Sequence, residues 1–214
     1  MKTSIVMTQT KERIITSAIN LFNEHGFVNV RLQNIADDLK ISVGNLAYHF
    51  KNKEAIVSKA YEQIGQELAT ILSSYRASPD LRDLDYQLGM YYQFIKKFPF
   101  YFIDILEVKR NHPHLHDECK DFICKMRIQF EKRLEYNKSR GIIKESMNDQ
   151  HISQVADNMC TIITFWYTCQ AIKSEKEKAG NFKNSVWIQL YPFLTKKGVG
   201  EYNQLVASNN ITED

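Results

Sequence analysis

Leu32, Ile35, Ala36 and Leu39 stand at i, i+3, i+4 and i+7, the apolar stripe of a short amphipathic helix. Lys40-Ile41 makes a tight connection. Ser42 then stands where an N-cap belongs, its hydroxyl able to accept a free N–H of the next first turn. The helix that follows, Val43 to His49, has only Leu46 and then Phe50 placed to face a core, while its other face carries Val43, Asn45, Tyr48 and His49. Asn52 caps a further helix that opens at Lys53. Upstream, Ile14, Ala18, Leu21 and Phe22 form the inner stripe of a first helix, with Thr10 as its N-cap, Glu12 beside its positive end and Gly26 as its stop. Phe27 is expected to tuck beneath this three-helix unit, and residues 1–8 to form a loose arm.

Beyond Lys53 the helical period continues. Ile56, Ala60, Ile64, Leu68 and Ile71 keep one stripe over a long helix from Lys53 to about Tyr75. Ala77-Ser78-Pro79-Asp80 is a break, followed by a helix over about 81–97 and another opening at Pro99 and running to about Arg110. Asn111-His112-Pro113 breaks again before helices over about 113–140, ending at Gly141, and 149–173. Charged Ser174 to Lys178 and Gly180 predict a loop, then a helix over about 182–196, kinked at Pro192, and a short last helix over 199–207 before a polar tail. The expectation is an all-α fold of about nine to ten helices. It divides into a three-helix unit holding a helix-turn-helix, residues 1–54, and a larger helical domain, residues 55–214. No Gly/Pro-rich linker separates them, so the helix from Lys53 is shared and can act as a lever.

A second helix this short, with a small apolar anchor and a polar-aromatic outer face, suits a helix-turn-helix reader, because it fits a major groove and holds few side chains that a core needs. The run Gly44-Asn-Leu-Ala-Tyr-His-Phe-Lys-Asn-Lys53-Glu-Ala-Ile56 resembles the recognition-helix signature of the tetracycline-repressor (TetR) family of bacterial transcription factors. Thr10 to Ile15 with Ala18, Leu21, Phe22 and His25-Gly26-Phe27 is similar to that family's first helix. The resemblance covers about residues 8–60 and is architectural beyond them. It implies a dimeric, all-helical repressor of operator DNA whose larger domain binds a small effector.

The residue chemistry allots the contacts. Val43 can meet a thymine methyl and Asn45 can pair with adenine, with Tyr48 at a base edge or groove wall. Tyr48, His49, Lys51 and Lys53 suit phosphate, Lys53 lying also at a helix N-terminus. Ser42 joins this set as the cap. The family usually opens its second helix with Ser or Thr; here Val30-Arg31 stand in that region, and Arg31 is expected on a phosphate instead. Many family members carry a phosphate-contacting Tyr where this chain has Ala47, with the Tyr here one residue on.

Charge agrees with this reading. The chain's net +3 is ordinary until it is divided. Residues 1–53 hold Lys2, Lys11, Arg13, Arg31, Lys40, Lys51 and Lys53 against Glu12, Glu24, Asp37 and Asp38, so the whole excess sits in the helix-turn-helix quarter, where phosphate is met. Composition, 43% hydrophobic and 25% charged, is globular. Cys119, Cys124, Cys160 and Cys169 show no C-x-x-C spacing, which reads as a reduced, cytoplasmic chain. The N-terminus has no apolar signal-peptide stretch. The longest uncharged run, Asn158 to Ile172, is 15 residues, below the roughly 20 that a bilayer needs, so no membrane is implied.

No Glu-x-x-His, G-x-S-x-G or P-loop occurs, so the rival of a helical enzyme has no motif behind it. A regulator controlled by a protein partner, or working without a ligand, is the other alternative. His112, His114 and His116 with Cys119 offer one i, i+3 pair, but the three rings straddle a helix start; solvated histidines are expected, with no metal and no cofactor.

With the resemblance in hand, the aromatic-rich second domain is expected to line an effector site with Tyr91, Phe94, Phe98, Phe102, Met126, Phe130, Ile162 and Trp166. No cluster of like charges lies in these helices, so an apolar or aromatic effector is implied. The helices near 149–173 and 182–196 are expected to form the homodimer surface through Ile152, Val155, Met159 and Ile163 with Val186, Trp187, Leu190 and Phe193. The effector, the operator sequence, the regulated genes and the sign of regulation are not written in these residues.

Overall fold

The computed structural model describes residues 2–174 and 178–210, with side chains from residue 9 to residue 207. Residues 175–177 of the expected charged loop and 211–214 of the expected polar tail lie outside the described residues. Eleven α-helices are present among the described residues, in order α1 (Lys2–His25), α2 (Leu32–Asp38), α3 (Val43–His49), α4 (Lys53–Ser73), α5 (Leu81–Lys97), α6 (Pro99–Ile103), α7 (Ile105–Asn111), α8 (Pro113–Ser139), α9 (Asp149–Lys173), α10 (Ala179–Leu190) and α11 (Lys196–Asn210). They fall into two compact units, residues 1–68 with 97–118, and residues 69–96 with 119–214.

In the first unit, Ile14, Ala18 and Phe22 of α1 are buried with Phe27, Ile35, Ala36, Leu46, Ile56 and Ala60, so the stripes read from the sequence do meet in one core. The first helix begins at Lys2, eight residues before Thr10, so Thr10 is an interior helical residue and not a cap, and the expected arm is helical from residue 2. Gly26 ends α1 in the left-handed region at φ 78°, its N–H donating to the Phe22 carbonyl at 2.9 Å, as a C-terminal glycine stop does. The absent hydroxyl cap of α2 is replaced: the Asn34 side-chain oxygen accepts the Arg31 N–H at 2.8 Å. Ser17 of α1 donates to Asp38 at the end of α2 at 2.6 Å, tying the two helices together.

The helix expected from Pro99 to Arg110 is two helices, broken at Asp104 (φ −94°, ψ 10°). Its first piece packs on α1: the rings of Phe22 and Phe100 are 5.4 Å apart, and the Asn23 side chain donates to the Lys97 carbonyl at 3.0 Å and accepts the Phe100 N–H at 3.3 Å.

In the second unit, α9 is capped by Asn148, whose side-chain oxygen accepts the His151 N–H at 2.9 Å, and ends at Ser174 with φ 55°. The helix expected to kink at Pro192 instead ends at Leu190 and passes into a single 3-10 turn, Tyr191–Phe193, because proline lacks the N–H and crowds the preceding turn. The chain then meets the α8–α9 connection. Lys144 N–H donates to the Phe193 carbonyl at 2.8 Å and Thr195 N–H to the Ile142 carbonyl at 2.9 Å, around an isolated bridge between Ile143 and Leu194. Gly198 sits so close that a Cβ there would stand 2.3 Å from the Ile142 carbonyl oxygen.

The core of this unit contains an ion pair. Arg133 of α8, 1% exposed, donates to Asp83 at 2.7 Å and to the Gln87 side chain at 2.9 Å, both on α5. Gln87 in turn donates to the Ile71 carbonyl at 3.1 Å, and the Arg133 guanidinium lies 5.0 Å from the Tyr75 ring centroid. The apolar faces of α9 and α10 expected at a dimer surface are interior here: Ile152, Val155, Met159, Ile163, Val186, Trp187 and Leu190 are buried within the chain and Phe193 is half-buried. Periodicity finds an apolar face but not what covers it. The solvent-facing apolar residues of this region are Phe165, Ile172, Ile188 and Tyr191.

Candidate DNA-reading face

Of the seven residues of α3, only Leu46 is buried, at 0% exposure, and Phe50 closes the helix from beneath. The Ser42 hydroxyl accepts the Asn45 N–H at 3.1 Å, which fixes the first turn and leaves the Asn45 carboxamide outward. Tyr48 is 72% exposed, its ring 5.2 Å from that of His49 in an edge contact. His49 is half-buried with its Nδ1 buried and without a hydrogen-bond partner among the described residues. Val43 is half-buried, and Arg31, Ser42, Asn45 and Lys51 are exposed. The connection from α2 turns through Lys40 at φ 56°, with Ile41 N–H donating to the Ala36 carbonyl at 3.0 Å.

A seven-residue helix presenting a carboxamide, a phenol and an imidazole, with a lysine just beyond its end, has the chemistry to donate and accept along a groove. An exposed aromatic such as Tyr48 keeps apolar ring surface in water that a nucleic-acid surface can cover.

Lys53 is placed differently from its neighbours. Its ammonium is turned inward, donating to the Phe27 carbonyl at 2.6 Å and lying 4.7 Å from the centre of the Phe27 ring. Burial lowers its pKa, with Glu54 and Asp104 opposing that shift. Asn52 does cap α4, its side-chain oxygen accepting the Ala55 N–H at 3.0 Å.

Sequence reasoning missed Asp104. Its Oδ2 accepts the Phe27 N–H at 2.9 Å from a position 77 residues away, a separation at which no local signal exists. Burial raises the Asp104 pKa, and the Phe27 hydrogen bond and Lys53 pull it back. His112 is not the solvated histidine expected. It is half-buried with its ring 5.5 Å from that of Phe27, and burial, then His114, lowers its pKa. Among the described residues no group of three His, Cys, Asp or Glu side chains is arranged to hold a metal ion.

The eight residues expected at an effector site divide between the units. Phe98 and Phe102 belong to the first, and Tyr91, Phe94, Met126, Phe130, Ile162 and Trp166 to the second. All but half-buried Ile162 are buried. Tyr91 has its ring 6.3 Å from that of Phe122 and 6.5 Å from that of Phe130, and its hydroxyl is buried without a hydrogen-bond partner among the described residues. Burial drives its pKa far up, so it is a neutral phenol. Cys160 is likewise pushed up to about 12 by burial, so its thiol is inert. Among the described residues no helix is long and apolar enough to cross a membrane.

Two family models match adjoining stretches of the chain, one described as bacterial regulatory proteins of the tetR family over residues 14–60 and one as a bacterial transcriptional repressor over residues 61–202. The chain belongs to the TetR family. It is therefore a DNA-binding transcriptional regulator and not an enzyme. The probable HTH-type transcriptional regulator YttP of Bacillus subtilis is 38% identical over 69 residues, a match that spans 30% of this chain and only 33% of that protein. The biofilm operon icaADBC HTH-type negative transcriptional regulator IcaR of Staphylococcus aureus strain Newman is 26% identical over 195 residues, spanning 87% of this chain and 100% of that protein. A crystal structure of a TetR-family transcriptional regulator from Marinobacter aquaeolei VT8 superposes with a TM-score of 0.79 at 22% identity, covering 94% of this chain and 97% of that one, a likeness of fold.

Proposed function

We propose that this TetR-family protein is a repressor that binds its operator as a homodimer and is released by a small apolar or aromatic effector. The observation that carries the reading is α3 itself: a helix with one buried side chain and with Asn45 and Tyr48 turned outward is built to be covered by something else. Val43 and Asn45 face base edges; Ser42, Tyr48, His49, Lys51 and Arg31 face phosphate and groove walls. Lys53 supports this surface from beneath the α1–α2 turn, as its bond to the Phe27 carbonyl indicates. The reading part is residues 1–54, and residues 55–214 hold effector and partner, in the cytoplasm with the DNA.

Two copies of α3 read a palindrome when they stand about 34–36 Å apart. The dimer forms through α9 and α10, on the side that carries Phe165, Ile172, Ile188 and Tyr191. An effector lodged among α5, α8 and α9, beside Tyr91, Phe94, Met126, Phe130, Ile162 and Trp166, would meet apolar walls with the Tyr91 hydroxyl as polar handle. Its power to release DNA equals its preference for the non-binding state.

Selection of bound duplexes from a random pool tests the reading. The expected result is one enriched palindromic sequence, bound by a dimer. Asn45→Ala is expected to relax its sequence preference. Enrichment of no sequence would overturn the assignment of α3 as a reader. Ile188→Asp is expected to shift the protein toward monomer in sedimentation, and an unchanged dimer would move the interface elsewhere.

A further inference from the structure

We propose that Asp104, far outside the helix-turn-helix, is a positioning residue for DNA binding: from the α6–α7 junction it holds the Phe27 peptide, and with it the α1–α2 turn, in the arrangement that α2 and α3 need. This rests on α3 being the reading helix.

The Phe27 peptide is gripped from two sides. Its N–H is taken by Asp104 Oδ2 at 2.9 Å, and its carbonyl by the Lys53 ammonium at 2.6 Å. The Phe27 side chain is 5% exposed, under that same ammonium at 4.7 Å and against the His112 ring at 5.5 Å. Three elements thus converge on one residue of a turn: the α6–α7 junction, the start of α4 and the start of α8. The need follows from the end of α1. Gly26 turns the chain into the left-handed region with its own N–H donating back to the Phe22 carbonyl, and the next N–H, that of Phe27, is the one taken by Asp104. A buried unpaired N–H is costly, and here a carboxylate supplies the acceptor. The break between α6 and α7 falls at Asp104 itself, so the chain gives up helix continuity at the residue that makes this bond.

The bland reading is that Asp104 only stabilises the fold. The remaining ties of the 97–118 segment distinguish the two. Asn23 bonds both Lys97 and Phe100, Phe22 packs on Phe100, and Tyr61 lies 6.2 Å from Phe100 and 5.8 Å from Tyr101. These hold α6 in place without Asp104. Its loss therefore frees the turn rather than the segment, and DNA binding then has to order that turn again.

The test uses the full-length protein and the duplex that the wild type selects from a random pool, with binding read by fluorescence anisotropy from roughly 100 to 300 mM salt, over which the Debye length shortens from about 10 Å to about 6 Å. Asp104→Ala is expected to weaken binding about tenfold, the scale of one charge-assisted hydrogen bond, with the salt slope unchanged because no phosphate contact is lost. Asp104→Asn keeps an acceptor and is expected to bind within about threefold of wild type. Amide exchange at Phe27 is expected to quicken in the alanine variant and not in the asparagine one. Wild-type affinity in Asp104→Ala, an asparagine variant as weak as the alanine one, or a shallower salt slope would each overturn the proposal. Should Asp104→Ala fail to fold, Asp104→Leu takes its place, of similar size and unable to accept. If the wild type selects no sequence, the reading of α3 fails, while Phe27 exchange still reports whether Asp104 holds the turn.

Discussion

The reading helix and the interior of the second unit handle polar side chains in opposite ways. In α3 the carboxamide of Asn45 and the phenol of Tyr48 face solvent and keep most of their hydrogen-bonding capacity unspent. In the second unit Arg133, Asp83 and Gln87 are as polar, yet they are buried and bonded to one another. The difference separates use from support. A polar group kept free on a rigid, thinly anchored helix is available to a partner. A polar group withdrawn from water is available to nothing but the groups it already touches, and its removal is felt as lost stability.

The largest effect should come from breaking the buried set. Asp83→Ala leaves the Arg133 charge in the core without its carboxylate and is expected to lose about 3–5 kcal/mol in urea unfolding. Arg133→Met combined with Asp83→Leu removes both charges and should recover much of that loss. If Asp83→Ala unfolds at the wild-type midpoint, the support side of the contrast fails. Next is Gly198→Ala, where a methyl would be driven to 2.3 Å from a backbone oxygen that cannot swing aside. We expect about 1–3 kcal/mol of destabilisation, read as a lower Tm, with operator preference untouched.

On the reading side the order reverses: affinity changes while stability does not. Asn45→Ala should reduce discrimination at one base pair by about 1–3 kcal/mol in competition binding. Lys51→Ala should weaken all sequences alike and shallow the salt slope by about 0.9 for the phosphate lost. Lys53→Ala sharpens the comparison, because an ammonium bonded to the Phe27 carbonyl should leave the slope nearly as it was. A slope change equal to that of Lys51→Ala would mean that Lys53 turns outward onto DNA.

The smallest effect is one of pH. Burial against Phe27 lowers the His112 pKa in the folded protein. A group of this kind binds its proton more readily when unfolded, so its contribution is whole above the ordinary value near 6.5 and is lost as the pH falls below it toward the lowered folded value. Because the ring is only half-buried and solvent screens it, less than about 1 kcal/mol is expected. His112→Gln should flatten that part of the stability profile, and an identical profile would show that another group titrates there.

Much of the helix-turn-helix geometry was legible because its signals are short in sequence. The Ser42 cap and the Gly26 stop are each closed by a hydrogen bond within four residues. The effector and partner surfaces were less so. Periodicity marked Val155 and Leu190 as apolar, but only packing shows that they meet other helices of the same chain. Lys53 illustrates the limit within the motif itself. Its position at a helix start suits a phosphate, yet an acceptor 26 residues away takes its ammonium.

By itself, then, the sequence determined most of the helices, the turn between α2 and α3 and the family to which this chain belongs, because helix periodicity, capping and tight turns act over three or four residues. Only the tertiary structure decided that Asp104 holds Phe27 across 77 residues and that Arg133 finds Asp83 across 50. Such pairs carry no local signature: either partner alone is an ordinary polar residue, and the hydrogen bond exists only once the core has brought the two elements together and excluded the water that would otherwise satisfy them both.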